Sequence, residues 1–137
     1  LTSPLRRASE TCRLAGLGDA ADVRQDLKEW DYGEYEGRTT PDIRADRPGW
    51  MLWSNGVPGG ETAEEVGVRA DRILAEAREI GGAVALFSHG HFLRVAAARW
   101  IELLPEMGRR LALGTATISV LGYERETPVI VRWNRPC

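Results

Sequence analysis

Three places in this 137-residue chain carry side chains whose type and setting could do chemistry: Ser88-His89-Gly90, Arg6-Arg7 and the loop around Glu29. Ser88-His89-Gly90 directly follows the apolar run Ala83–Phe87 and opens a helix. Ligands of α/β sheets bind at such carboxyl ends of strands, where free N–H groups and the helix dipole favour an anion. A histidine there can donate to a phosphate oxygen; it serves equally well in a tight turn with local partners. Arg6-Arg7 fall in the first turn of a helix, where the dipole disfavours an exposed cation by roughly 0.3–1 kcal/mol. A local rule broken without visible compensation marks a candidate site, and the planar guanidinium fork suits phosphate. Two solvated surface arginines are the plainer account. Glu29 sits in Leu27-Lys28-Glu29-Trp30-Asp31-Tyr32-Gly33. A carboxyl group among aromatic residues can be desolvated, which raises its pKa and makes it a proton donor near neutrality; taken alone it reads as a loop acid. Glu34 and Glu36 read as solvated.

The elements that must position these groups follow from periodicity. Ser3-Pro4 reads as an N-cap followed by proline at the first helical position. Leu5, Ala8, Cys12 and Ala15 share that helix's face, and Gly16 and Gly18 end it. Residues 23–27 read as a short strand, and Trp30–Gly37 as a glycine-rich loop. Residues 40–55 hold short helices broken at Pro48-Gly49. Thr62 and Glu65 form a capping box for a long helix with the stripe Val66, Ala70, Ile73, Ala77 and Ile80, supported by a Glu65–Arg69 pair. Gly81-Gly82 stops it. Ala83–Phe87 reads as a strand buried on both faces. A further helix runs through Leu93, Ala96, Ala97, Trp100 and Leu104 to Pro105. Residues 116–123 and 129–133 read as two strands joined by a charged turn. Strand, helix and strand alternate, so the class is α/β.

Composition bounds the function. Hydrophobic residues make up 43% and charged residues 28%, ordinary for one globular domain over residues 1–137. The net charge of −2 gives no general pull toward nucleic acid or an anionic membrane. No apolar run is long enough to span a bilayer. Cys12 and Cys137 form no metal or redox motif, and a reducing, cytoplasmic setting fits them. No cluster of Cys, His or Asp suggests a metal, and no cofactor is implied.

Four segments in order resemble a known family. Thr2-Ser3-Pro4-Leu5-Arg6-Arg7-Ala8, Leu27 through Gly37, Gly60-Glu61-Thr62 and Phe87-Ser88-His89-Gly90 are similar to motifs of the histidine phosphatase superfamily, which includes the phosphoglycerate mutases. They span nearly the whole chain. The run Glu29–Gly37, Trp50 and Trp53 before Asn55-Gly56, and the extended Ser88-His89-Gly90-His91-Phe92-Leu93-Arg94 are most similar to the branch of fungal sedoheptulose 1,7-bisphosphatase and its bacterial relatives. Between Gly37 and Gly60 the chain looks shorter than in cofactor-dependent phosphoglycerate mutases, so the resemblance implies a phosphatase rather than a mutase.

The resemblance implies a three-layer fold around a mostly parallel sheet. It implies a phosphomonoester hydrolase that works through a phosphohistidine, with a small phosphorylated metabolite as partner. Arg7 and His89 would hold the phosphoryl group and Glu29 would handle the proton. Arg6, Tyr32, Trp50, Trp53, Gly90 and His91 are the substrate-binding candidates. The family's nucleophile lies in an Arg-His-Gly motif on its first strand. This chain has two histidines, His89 and His91, and no such motif. The expectation is therefore a C-terminal two-thirds that lacks the N-terminal strand and is inactive alone. A phosphoglycerate mutase and a catalytically dead phosphate-binding or interaction module are the rival readings. A homo-oligomer is compatible with either.

Overall fold

Capping and glycine stops set the helix boundaries in the computed structural model, which describes residues 1–136; Cys137 lies outside the described residues. Helices α1 (Arg6–Leu14), α2 (Thr40–Asp46), α3 (Leu52–Asn55), α4 (Ala63–Ile80) and α5 (Gly90–Trp100) precede strands β1 (Thr117–Glu124) and β2 (Thr127–Pro136). Short 3-10 turns occupy Gly18–Ala20, Gln25–Leu27, Gly33–Tyr35 and Pro105–Arg110.

The expected capping box starts α4. The Thr62 N–H donates to the Glu65 carboxylate at 2.8 Å, and the Glu65 N–H donates to the Thr62 hydroxyl at 3.2 Å. Such a cap contributes about 0.5–2 kcal/mol. Val66, Ala70, Ile73 and Leu74 bury the inner face, but Ile80 at the far end is 56% exposed. Glu65 is committed to the cap, so the expected Glu65–Arg69 pair does not form. Arg69 pairs instead with Glu61 at 2.7 Å and donates to the carbonyls of Asp26 and Lys28 at 2.6 and 3.1 Å. It clamps the loop before Glu29 onto α4.

α5 packs on α4 through Phe92, Val95 and Ala96, which share one core with Leu27, Trp30, Ile43, Trp50, Leu52 and the α4 stripe. Asp71 and Arg99 join the two helices at 2.9 Å. α5 ends well before Pro105, contrary to expectation. Leu103 N–H bonds the Ala98 carbonyl and Glu102 N–H the Arg99 carbonyl, with Glu102 left-handed at φ 62°. This Schellman closure satisfies the last carbonyls without proline, and it leaves Leu104 63% exposed. At the other end of the chain, α1 starts two residues later than Ser3-Pro4 suggested. Leu5 is its N-cap and offers no side-chain bond. Ala8 and Cys12 are buried; Leu5 and Ala15 are not.

The sheet differs most from expectation. Among the described residues the named strands form a two-stranded antiparallel hairpin, β1 on β2, turning at Arg125-Glu126. Parallel pairing is confined to single bridges from Thr2 to Val23 on one side and to Phe87 on the other. Residues 23–27 give one bridge and then a 3-10 turn rather than a strand. Ala83 and Ala85 are exposed and Val84, Leu86 and Phe87 half-buried, so this run is not covered on both faces. Its described backbone bonds go to one neighbour: Phe87 N–H to the Leu1 carbonyl and Ser3 N–H to the Phe87 carbonyl. Chain reversal in the hairpin needs only a local turn, whereas parallel neighbours must be brought from far along the chain. Among the described residues no helix is long and apolar enough to cross a membrane.

Candidate active site

The bridge between Thr2 and Phe87 places the start of α1 beside the start of α5, and the candidate site is built there. His89 is the N-cap residue of α5, with extended backbone at φ −129° and ψ 165° and no side-chain bond to its own helix. Its ring points the other way. Nε2 lies 2.9 Å from the hydroxyl of Ser3, which also accepts from Leu5 N–H at 3.2 Å. Ser3 is fully buried and His89 is 7% exposed. Ser3, read as a helix cap from sequence, therefore ties the histidine to the entrance of α1.

Glu29 supplies the cap that His89 does not. Its Oε1 accepts from Trp30 N–H and Phe92 N–H, each at 3.0 Å, and its Oε2 from His91 N–H at 3.3 Å. The second and third N–H groups of α5 are thus satisfied by an acid distant in sequence, and the dipole favours its negative charge. Arg7 stands in the first turn of α1, which carries no acid there.

Electrostatics tie Arg7, Glu29 and His89 together. Burial holds the His89 imidazole below its ordinary value; the Glu29 carboxylate opposes this and the Arg7 guanidinium adds to it. Burial also pushes the Tyr32 hydroxyl well above its usual range, helped first by the charge of Glu29, then by that of Glu36, and opposed by Arg7. Arg7 and Glu29 thus both act through their charge on His89 and on Tyr32.

Beyond this cluster the wall is aromatic. The Tyr32 hydroxyl is 2.6 Å from His91 Nδ1. The His91 ring meets Trp53, Tyr32 and Trp30 at 5.4, 5.7 and 6.2 Å between centroids. Burial lowers the His91 pKa, with Glu29 opposing and Arg94 contributing. Arg94 stacks on Trp53 at 4.7 Å and donates to the carbonyls of Gly108 and Arg109 at 3.1 and 3.3 Å. Tyr32 and His91 border a groove of about 810 Å³ whose lining includes Trp50 and Trp53. Trp50 contributes an edge only, being 6% exposed and bonded through Nε1 to the Gly56 carbonyl. Gly90 is the first residue of α5, beside Glu29. Arg6 is exposed, makes no side-chain bond among the described residues, and is not part of the groove.

Sequence reasoning gave Ser3 and Arg94 no role in the site, and gave Arg69 only a supporting pair with Glu65. Ser3 and Arg94 left a signal, Ser3 as part of Thr2-Ser3-Pro4-Leu5-Arg6-Arg7-Ala8 and Arg94 as the last residue of Ser88-His89-Gly90-His91-Phe92-Leu93-Arg94 on the helix that presents His91.

The model of the histidine phosphatase superfamily (branch 1) matches residues 1–136. An acid phosphatase of Mycobacterium tuberculosis is 44% identical over 126 residues, covering 90% of this chain and 62% of the relative. Sedoheptulose 1,7-bisphosphatase of Saccharomyces cerevisiae is 34% identical over 128 residues, covering 74% of this chain and 47% of the relative. The chain thus spans less than two thirds of the length of either. The solved structure of the open reading frame Rv3214 from Mycobacterium tuberculosis superposes with a TM-score of 0.93 at 41% identity, over 98% of this chain and 70% of that one. A mycobacterial glucosyl-3-phosphoglycerate phosphatase with inorganic phosphate gives a TM-score of 0.80 at 28% identity, over 98% of this chain and 75% of that one.

Proposed function

The chain belongs to the histidine phosphatase superfamily, and from that premise we propose that it is the phosphate-holding and proton-handling part of a metal-independent phosphomonoesterase. The observation that supports this reading most is the meeting of Arg7, Glu29 and His89 at two adjoining helix starts. A tetrahedral dianion placed there meets the Arg7 fork, the His89 ring and the dipole of α1. Such donors stabilise charge that develops on the phosphoryl oxygens in the transition state.

In the proposed reaction a histidine that is not among this chain's two attacks phosphorus. The ester P–O bond breaks, and the leaving oxygen takes a proton from Glu29. Glu29 then takes a proton from water, which attacks the phosphohistidine to release inorganic phosphate and restore the histidine. Three backbone N–H groups hold the Glu29 carboxyl group in place at the start of α5. The strand that would carry the nucleophile would pair beside residues 83–87 and complete a three-layer, mostly parallel sheet. On this reading the 137-residue chain alone binds phosphate without turnover. The free buried thiol of Cys12 suits a reducing cytoplasm.

Calorimetric titration of the chain with inorganic phosphate, beside a generic phosphomonoester hydrolysis assay, tests the proposal. Phosphate binding that Arg7→Ala abolishes, with no hydrolysis, is expected. Absence of binding, or binding indifferent to both Arg7→Ala and His89→Ala, refutes the site. Hydrolysis by the chain that His89→Ala abolishes refutes the external nucleophile. Phosphoryl exchange between hydroxyls, dependent on a bisphosphorylated primer, marks a mutase instead.

A further inference from the structure

His89 turns one ring nitrogen into the protein and leaves the other free. Its Nε2 lies 2.9 Å from the hydroxyl oxygen of the fully buried Ser3. Nδ1 has no hydrogen-bond partner among the described residues, and the ring does not cap its own helix. Every buried side-chain nitrogen or oxygen among the described residues does have a partner, so Nδ1 belongs to the 7% of His89 that stays exposed. It is the nitrogen that an incoming anion meets.

The backbones of the pair are fastened together. Ser3 N–H donates at 2.8 Å to the carbonyl of Phe87, just before Ser88-His89, and Thr2 is bridged to Val23 on its other side. Proton counting then decides the ring's tautomer. Ser3 Oγ already accepts from Leu5 N–H at 3.2 Å. Among the described residues the acceptor that faces the serine's own proton is His89 Nε2. If Nε2 carried a proton instead, two donors would converge on Oγ and the serine proton would be buried without an acceptor. A buried donor left unsatisfied disfavours that arrangement by roughly fivefold to a hundredfold. With Nε2 accepting, the neutral ring carries its proton on Nδ1, at the open face. Burial holds the imidazole below its ordinary value, so the neutral ring prevails near neutrality and its tautomer decides what it offers.

We propose that Ser3 is a positioning residue that fixes His89 as the Nδ1–H tautomer, which commits the ring to donating toward the phosphoryl group and bars it from attacking phosphorus. A ring nitrogen that bears a proton has no free lone pair with which to form the bond to phosphorus. Ser3 thereby divides the labour of the site: His89 holds the anion, and the attack falls to another histidine. The catalytic consequence rests on the reading of Arg7 and His89 as the phosphoryl site; the tautomer itself does not.

The test is a long-range nitrogen–proton NMR spectrum of the isotope-labelled whole chain at about pH 7.5, where the two neutral tautomers and the imidazolium give different cross-peak patterns. His91→Asn identifies the His89 ring, since the chain has two histidines. The expected pattern is Nδ1–H. An Nε2–H pattern or an imidazolium in the unsubstituted chain overturns the proposal without recourse to any Ser3 variant. Ser3→Ala should lose the preference and show Nε2–H; should that chain not fold, Ser3→Cys, a weaker donor, takes its place. A ring that stays Nδ1–H in the folded variant refutes Ser3 as the cause. Calorimetric titration with inorganic phosphate reads the consequence. The variant whose tautomer switches should bind phosphate about fivefold more weakly, the worth of one hydrogen bond. Unchanged affinity beside a switched tautomer overturns the donor role of Nδ1. Failure of the unsubstituted chain to bind phosphate removes the phosphoryl site, while the spectrum still decides whether Ser3 sets the tautomer.

Discussion

Replacing Glu29 by glutamine separates the two duties given to this carboxylate, because it should weaken the fold and strengthen phosphate binding at once. The carboxylate accepts N–H bonds from Trp30 and Phe92 at 3.0 Å and from His91 at 3.3 Å. An amide keeps one acceptor oxygen. It can retain the two bonds at Oε1, but it turns an NH2 group toward the His91 N–H. Converting two charge-assisted bonds to neutral ones costs about 1 kcal/mol each, and the lost third bond about 1 kcal/mol more. The α5 dipole adds roughly 0.3–1 kcal/mol. Since Glu29 is only half-buried, the expected loss is about 2–3 kcal/mol, which is roughly a 10 °C drop in Tm for a domain of this size. Removing a negative charge beside an anion site should also tighten inorganic phosphate binding, by about fivefold for a pair interacting across partly solvated protein. Urea denaturation and phosphate titration on the same variant read both effects. Stability within about 0.5 kcal/mol of the parent would refute Glu29 as the cap of α5. Weaker phosphate binding in a folded variant would refute its place beside the anion.

Acidification should destabilise the chain through its histidines. Burial holds both His89 and His91 below the ordinary 6.5, so the unfolded chain binds more protons between the folded values and 6.5. Their contribution is complete above about pH 6.5 and is lost as pH falls through the folded values, so the urea midpoint should drop between pH 7.5 and 5. His89→Asn/His91→Asn should flatten that slope, and an equal slope in the variant would contradict the assignment. Saturating phosphate should raise the titration midpoint of His89, since an opposing charge offsets burial; an unmoved imidazole resonance on phosphate addition would place the anion elsewhere. Gly60→Ala should cost about 1–3 kcal/mol or more. A Cβ there would sit 2.4 Å from the Asp31 carbonyl and 2.7 Å from Gly33 N, both backbone atoms that cannot swing aside. A parent-like Tm for this variant would show that the two loops do not meet as described.

The sequence by itself determined what depends on near neighbours. The Thr62–Glu65 capping box, the breaks at Pro48-Gly49 and Gly81, and the turn of the β hairpin are settled within a few residues, and they appear where the pattern put them. The order of motifs also pointed to Arg7, Glu29 and His89. It could not show that Ser3 would hold His89 rather than cap a helix, that Glu29 would cap a helix far along the chain, or that Arg69 would take Glu61 instead of Glu65. Each of these is a choice among equally good local partners, and only the packing of α4 and α5 on one core brings the winning partner within reach. The run Ala83–Phe87 makes the same point from the other side. Its composition fits a doubly covered strand, yet burial depends on what lies beside it, and among the described residues its one backbone neighbour is the segment around Thr2.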